Sequence, residues 1–207
     1  LCGADGSGKS TVASALVEGL SVTFSPQKGY HFHWKPPIFS TRRRAVRGPV
    51  TDPHGTPARG PVVSLGYFGF HWLEFFLGSH VRLRPMTFRG GLVLIDRFYY
   101  DFFVDQRRYR LRVAQPIVRL GHCFLKKPDL VVLLDAPAEV LQRRKQEVPL
   151  AETERQRAAF LEVVRCLRNG KIVDATQPPE KVGADISRAI LDFMAERIRQ
   201  RWGIGHP

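Results

Sequence analysis

At 207 residues the chain fits one folded domain, able to bury roughly 70% of the surface its unfolded form exposes. Its 43% hydrophobic and 25% charged residues exclude wholesale disorder, and no apolar run approaches the roughly 20 residues of a membrane span. The net charge of +13, carried mostly by arginine, points either to an anionic partner (a nucleotide, a nucleic acid or an acidic surface) or to a merely basic surface.

In chain order, the first feature is a glycine-rich turn at residues 3–8, followed by Val12, Ala13, Leu16, Val17 and Leu20 at helical spacing. Such a turn needs a buried strand directly before it. Only Leu1 and Cys2 of one are present, so the sequence is expected to lack its opening residues. Ser21 to Ser25 alternates like a short strand. Residues 36–64 are rich in Pro, Gly and Arg without a clear period, which predicts a long basic loop or insertion.

An aromatic-rich helix is expected from Leu65 to Leu83. Leu92-Val93-Leu94-Ile95, closed by Asp96, and Leu130 to Leu134, closed by Asp135, are short apolar runs of the kind that form buried parallel strands. Pro137 suits the first turn of a helix carrying Val140, Leu141 and the basic group Arg143-Arg144-Lys145. A further helix over 151–168, a strand over 171–174 and a last amphipathic helix through Val182, Ile186, Ile190, Phe193 and Ile198 complete the chain. Strands alternating with helices give an α/β fold with a parallel sheet in a single domain over 1–207.

Four groups of residues carry chemistry. Gly3-Ala4-Asp5-Gly6-Ser7-Gly8-Lys9-Ser10 matches G-x-x-x-x-G-K-[ST] at every fixed position. Its glycines let backbone N–H groups turn inward as an anion nest, Lys9 would reach the β- and γ-phosphates, and the Ser10 hydroxyl would hold Mg²⁺. The phosphate-binding set is therefore Gly3, Asp5, Gly6, Ser7, Gly8, Lys9, Ser10 and Thr11. Asp96-Arg97, at the end of an apolar strand, offers a second oxygen ligand for Mg²⁺ in Asp96 and an arginine for the acceptor phosphate. Arg143 or Arg144, which sequence cannot separate, would close over the γ-phosphate from a lid at about 143–155, or else belong to a solvated basic helix face. Arg107, Arg108, Arg110 and Arg112, interleaved with Tyr99, Tyr100, Phe102 and Tyr109, form either an acceptor pocket or a surface helix with a buried aromatic side. His31, His33 and His71 lack ligand spacing and are read as packing or exposed groups.

Together these residues resemble the thymidylate kinase family of nucleoside monophosphate kinases, from Gly3 to about Ile190. The likeness rests on the acidic loop Gly3 to Thr11, on Leu94-Ile95-Asp96-Arg97-Phe98, and on Leu133-Leu134-Asp135-Ala136-Pro137 leading into a basic lid. It implies a P-loop NTPase fold, with about five parallel strands wrapped by helices and a small lid. It also implies ATP with Mg²⁺ as phosphate donor, and often a homodimer. Carried over by position, Asp5 would touch the acceptor's sugar hydroxyl and Arg97 its phosphate, while Phe68, Phe70 or Trp72 would face its base. The chain departs from the family on the acceptor side. Trp34-Lys35-Pro36 stands where an arginine-led triplet is usual, 36–64 is longer and more basic, and Phe98-Tyr99-Tyr100-Asp101-Phe102-Phe103 replaces small polar residues.

The expected activity is ATP-dependent phosphoryl transfer to a nucleoside monophosphate. The alternatives are a P-loop kinase of another small metabolite and a P-loop nucleic-acid-binding or regulatory ATPase. The three scattered cysteines, Cys2, Cys123 and Cys166, suit a reduced, cytoplasmic compartment.

Overall fold

The computed structural model describes residues 1–20, 29–32 and 57–203. The sequence features at Ser21–Ser25, His33, Trp34-Lys35-Pro36 and Arg42-Arg43-Arg44 lie outside the described residues. The glycine turn opens helix α1 (Lys9–Gly19), and strand β1 follows at Gly29–Phe32. Helix α2 (Pro61–Leu77) continues through a π-helical stretch, Gly78–Leu83, into α3 (Arg84–Phe88). Strand β2 (Leu92–Ile95) precedes the short helix α4 (Asp101–Val104), a 3₁₀ turn at Arg107–Tyr109 and α5 (Gln115–Cys123). Strand β3 (Val131–Asp135), α6 (Ala138–Arg144), α7 (Leu150–Arg165), β4 (Gly170–Asp174) and α8 (Pro179–Trp202) follow.

The expected loop over 36–64 ends earlier than its composition suggested, because 61–64 form the first turn of α2. Pro61 has no N–H to leave unpaired there and its fixed φ suits a helix start. Ser64, fully buried, locks that turn: its hydroxyl donates to Arg59 O at 3.0 Å and accepts from Arg112 N at 3.0 Å.

The fold is the α/β kind that the alternating pattern implied, but the described strands form two parallel pairs rather than one five-stranded sheet. β1 pairs with β2 from Gly29–Leu92 to Phe32–Ile95, and β3 with β4 from Val131–Gly170 to Asp135–Asp174. The stretch Leu1-Cys2 runs between the pairs. Leu1 N donates to Ile95 O at 2.6 Å, Cys2 N donates to Val132 O at 2.9 Å, and Cys2 O accepts from Leu134 N at 3.0 Å.

Alternation along β3 divides the core in two. Val131 and Leu133 pack with Phe68, Phe75, Phe98, Tyr99, Phe102, Phe160 and Val164. Val132 and Leu134 pack with Val12, Leu16, Leu94, Leu141, Val173, Ile186 and Ile190. One cluster thus ties α2, α4 and α7 to the strands and the other ties α1, α6 and α8. Among the described residues, no helix is long and apolar enough to cross a membrane. The C-terminal ends of β2 and β3, where Asp96 and Asp135 stand, flank the glycine turn, as expected for ligand sites in parallel α/β folds.

Candidate active site

The glycine turn is shaped by close approach. Gly6 has φ 84°, and a Cβ there would lie 2.4 Å from Leu141 O. At Gly3, with φ 143°, a Cβ would lie 2.7 Å from Leu134 O. Any larger residue at either position must push the loop off β3 or α6. The same approach sets the last turn of α6, which carries Arg143 and Arg144, beside the loop.

Lys9 is buried, and its Nζ donates to Gly3 O at 2.9 Å, Ala4 O at 2.9 Å and Ser7 Oγ at 3.2 Å. All three ammonium protons are thus held by the loop itself. Burial pushes the Lys9 ammonium pKa down, with the Arg97 charge adding to it and Asp5, Asp96 and Asp101 opposing. Ser10 Oγ donates to Asp96 Oδ2 at 2.7 Å. The two oxygen groups read from sequence as metal ligands therefore meet at the loop, across 86 positions of chain. Thr11 follows on the first turn of α1 and is exposed.

Beside this corner runs a chain of alternating charges. Asp5 Oδ1 accepts from Arg97 Nη2 at 2.6 Å, and Asp5 Oδ2 accepts from Arg108 Nη1 at 2.5 Å. Arg97 Nη1 also reaches Asp101 Oδ2 at 3.3 Å, where Tyr109 OH donates at 3.1 Å. Arg108 Nη2 continues to Glu147 Oε2 at 2.5 Å, and Lys145 Nζ holds Glu147 Oε1 at 2.5 Å. Every carboxylate in the chain is under 10% exposed. Burial alone would raise the Asp5 carboxyl, but Arg97, Arg108 and Lys9 outweigh it and hold it well below the usual carboxylate range. For Asp101 the balance goes the other way: burial raises its carboxyl despite Arg97 and Lys9. The Arg97 guanidinium, pulled down by burial and up by Asp101 and Asp5, ends above its ordinary value and stays charged.

The remaining residues singled out from sequence divide. Arg144 Nη1 donates to Ala175 O at 2.7 Å, just past β4, whereas Arg143 is exposed on the neighbouring position of α6. Asp135 is held by Arg157 of α7 through two bonds, at 2.7 and 2.8 Å. Phe68 is buried against Tyr99 and Phe102 and is a core residue rather than a stacking face. Trp72 is committed too, through Nε1 to Gly121 O at 2.8 Å and a stack on Phe76. Phe70 remains half-exposed. Tyr99, Tyr100 and Phe102 are core groups, with Tyr99 OH donating to Val118 O at 2.8 Å. Of the four arginines at 107–112, Arg108 alone is drawn to Asp5; Arg110 Nε donates to Pro57 O at 3.3 Å.

Sequence reading missed Asp101 and Glu147 as members of the site and gave Arg108 no separate role. The short spacing of Arg97 and Asp101, four positions apart from the bend after β2 to the first residue of α4, was a usable signal. Nothing local joins Arg108 to Asp5 or to Glu147.

With this geometry in view, the chain is similar to several known proteins. It is 27% identical over 199 residues to a probable thymidylate kinase of Pyrobaculum aerophilum, covering 91% of this chain and 93% of that one. It is 27% identical over 214 residues to a thymidylate kinase of Chromohalobacter salexigens, covering 93% and 94%. It is also 28% identical over 229 residues to one of Thermosynechococcus vestitus, covering 97% and 87%. No protein-family model matches. Among solved structures, a thymidylate kinase from Ehrlichia chaffeensis superposes with a TM-score of 0.61 at 14% identity, covering 91% of this chain and 95% of that one. That superposition establishes the shared fold.

Proposed function

We infer that the chain is a divergent thymidylate kinase-like nucleoside monophosphate kinase, which moves the γ-phosphoryl group of ATP to a phosphate oxygen of its acceptor and leaves ADP. The observation that carries this reading is the adjacency of the two halves of the site. Asp96 meets Ser10 at the nucleotide loop, while the next residue, Arg97, meets Asp5 from that same loop. A donor held at the glycine turn and an anion held by Arg97 would be neighbours, the arrangement that phosphoryl transfer by positioning requires.

The donor set fits Mg²⁺. A hydroxyl and a buried carboxylate 2.7 Å apart are hard oxygen ligands, and nucleotide phosphate oxygens and water would complete the shell. Bound there, Mg²⁺ would neutralise charge on the transferring phosphates. Lys9 would exchange one or more of its loop contacts for a phosphate oxygen, and the backbone N–H groups of residues 6–10 would bind the others. Arg144 is tied to Ala175, so Arg143 is the better placed to close over the γ-phosphate from the 143–155 lid.

The state of Asp5 favours a phosphate acceptor over a hydroxyl acceptor. A hydroxyl needs a base, and both Asp5 oxygens accept from guanidiniums while Asp96 Oδ2 accepts from the Ser10 hydroxyl. A phosphate oxygen is already nucleophilic. We further place the protein in the cytoplasm, where Cys2, Cys123 and Cys166, none of them in a disulfide, would stay reduced. We also propose that residues 1–207 act as one P-loop domain, with Leu1-Cys2 in the middle strand of a five-stranded sheet.

The test is ADP release from Mg·ATP against thymidylate, the other nucleoside monophosphates, nucleosides and sugar phosphates. Turnover with a nucleoside monophosphate, lowered at least about 100-fold by Lys9→Ala, is the expected result. Turnover with nucleosides or sugar phosphates alone would refute the acceptor class, and ATP binding without acceptor-stimulated turnover would refute the kinase reading.

A further inference from the structure

We propose that Arg108 is a second arginine for the acceptor's phosphate, paired with Arg97 across the Asp5 carboxylate and positioned by Glu147; this rests on the nucleoside monophosphate kinase reading above. The two guanidiniums share one carboxylate, each taking a different oxygen, at 2.6 and 2.5 Å. They come from different parts of the fold, 92 and 103 positions from Asp5 in sequence. Two arginines converging on one small planar anion at the mouth of a nucleotide loop form a fork that phosphate oxygens also satisfy.

Arg108 is held as part of a built site. Its side chain is 16% exposed, the same as that of Arg97. Its backbone N–H donates to Asp105 Oδ1 at 3.1 Å, and Gln156 of α7 donates to the other oxygen of Asp105 at 3.0 Å. The 3₁₀ turn Arg107–Tyr109 is thus anchored from both sides, because Tyr109 OH is bound to Asp101 on the other face of Arg97. Glu147 supplies the contact that Arg108 can give up. An arriving phosphate would accept the Nη2–H hydrogen bond that Arg108 now donates to Glu147, and Glu147 keeps Lys145 at 2.5 Å, so no buried carboxylate is stranded. Glu147 lies in the connection between α6 and α7, so the exchange would also free that connection from the 3₁₀ turn as the acceptor binds. In this mechanism Glu147 is a positioning residue and Arg108 touches the substrate.

The experiment titrates thymidylate and thymidine calorimetrically, without ATP, into the wild type, R108M, R108K and the double variant R108M/E147Q, with steady-state kinetics alongside. The expected result is a loss of about tenfold or more in thymidylate affinity for R108M, with thymidine affinity unchanged. KM for thymidylate rises by a similar factor and KM for ATP holds. R108K keeps the charge but not the fork; it binds thymidylate more weakly than wild type and covers the case in which R108M does not fold. In the double variant, Glu147 no longer needs a charged partner, yet thymidylate binding stays weak. The proposal is overturned if the double variant binds thymidylate like wild type, if R108K does so, or if thymidine and thymidylate affinities fall together. A wild type that binds and phosphorylates no nucleoside monophosphate overturns the proposal together with the reading beneath it; if another nucleoside monophosphate is the acceptor, that nucleotide and its nucleoside replace thymidylate and thymidine in the titrations. Wild-type turnover with unaffected Arg108 variants overturns the proposal alone.

Discussion

Arg97 and Arg108 reach Asp5 only because a loop of glycines lets that carboxylate sit deep between β3, α6 and the 3₁₀ turn. Such a carboxylate should be visible in the pH dependence of stability. Its folded-state pKa lies below the ordinary value of about 3.9, so it contributes stability that is complete above that value. That contribution is lost as pH falls from there toward the depressed folded value. Asp101, raised by burial, favours its protonated form and acts in the opposite sense, so the whole-protein curve is a sum. The Asp5→Asn variant isolates one part of it. We expect D5N to be about 3 kcal/mol less stable at pH 7, because two buried guanidiniums lose their carboxylate. Its thermal midpoint should also fall less steeply than that of wild type between pH 5 and pH 3. Melts across that range, with equal slopes for the two proteins, would show that Asp5 titrates normally.

Among elements, α2 carries apolar side chains on two faces. Phe75, 1% exposed, lies edge-on to Phe98, Tyr99 and Phe102, with ring centroids 5.5, 5.9 and 6.1 Å away. Phe98 is the residue directly after Arg97, so this packing also supports the site. Phe75→Ala should cost about 3–5 kcal/mol in urea unfolding, a large share of a domain's total stability. A loss below about 1 kcal/mol would mean that the aromatic cluster can collapse onto the gap. The same packing explains why the aromatic residues at 98–103 do not line an acceptor pocket: the hydrophobic gain from burying those rings exceeds what a solvent-facing stack would return.

At the scale of the whole molecule, the other face of α2 points outward among the described residues. Val62, Leu65 and Leu73 share one outward side at 84, 48 and 40% exposure, and Ile117 and Leu120 of α5, with Phe124 just past its end, are exposed as well. We propose that these faces meet in a homodimer of twice 23.5 kDa. Each chain carries +13, so added salt should tighten the dimer by screening like charges. Any nucleic-acid binding should instead weaken steeply between 50 and 200 mM salt. Light scattering across that range should show the dimer persisting, and L65D should give monomers. A monomeric wild type at every salt concentration would remove the dimer. Nucleic-acid affinity that survives 200 mM salt would revive the nucleic-acid-binding alternative.

Local chemistry was enough to read the glycine turn with Lys9 and Ser10, the strand ends at Asp96 and Asp135, and the order of helices and strands from β3 onward, but not the short helices α4 and α5 between β2 and β3. These depend on backbone sterics and on hydrophobic period, which act over a few residues. The start of α2 was legible only in part, since Pro61 looks like loop chemistry until Ser64 is seen to be buried beside Arg112. Which arginine serves which anion was decided by tertiary structure alone. Asp5, Arg97, Arg108 and Glu147 are joined by bonds spanning 92, 103 and 39 positions. No sequence period encodes such contacts, because charge pairing is set by where the packed core leaves each side chain, and the basic stretch at 107–112 offered four equivalent candidates until folding buried one of them against a carboxylate.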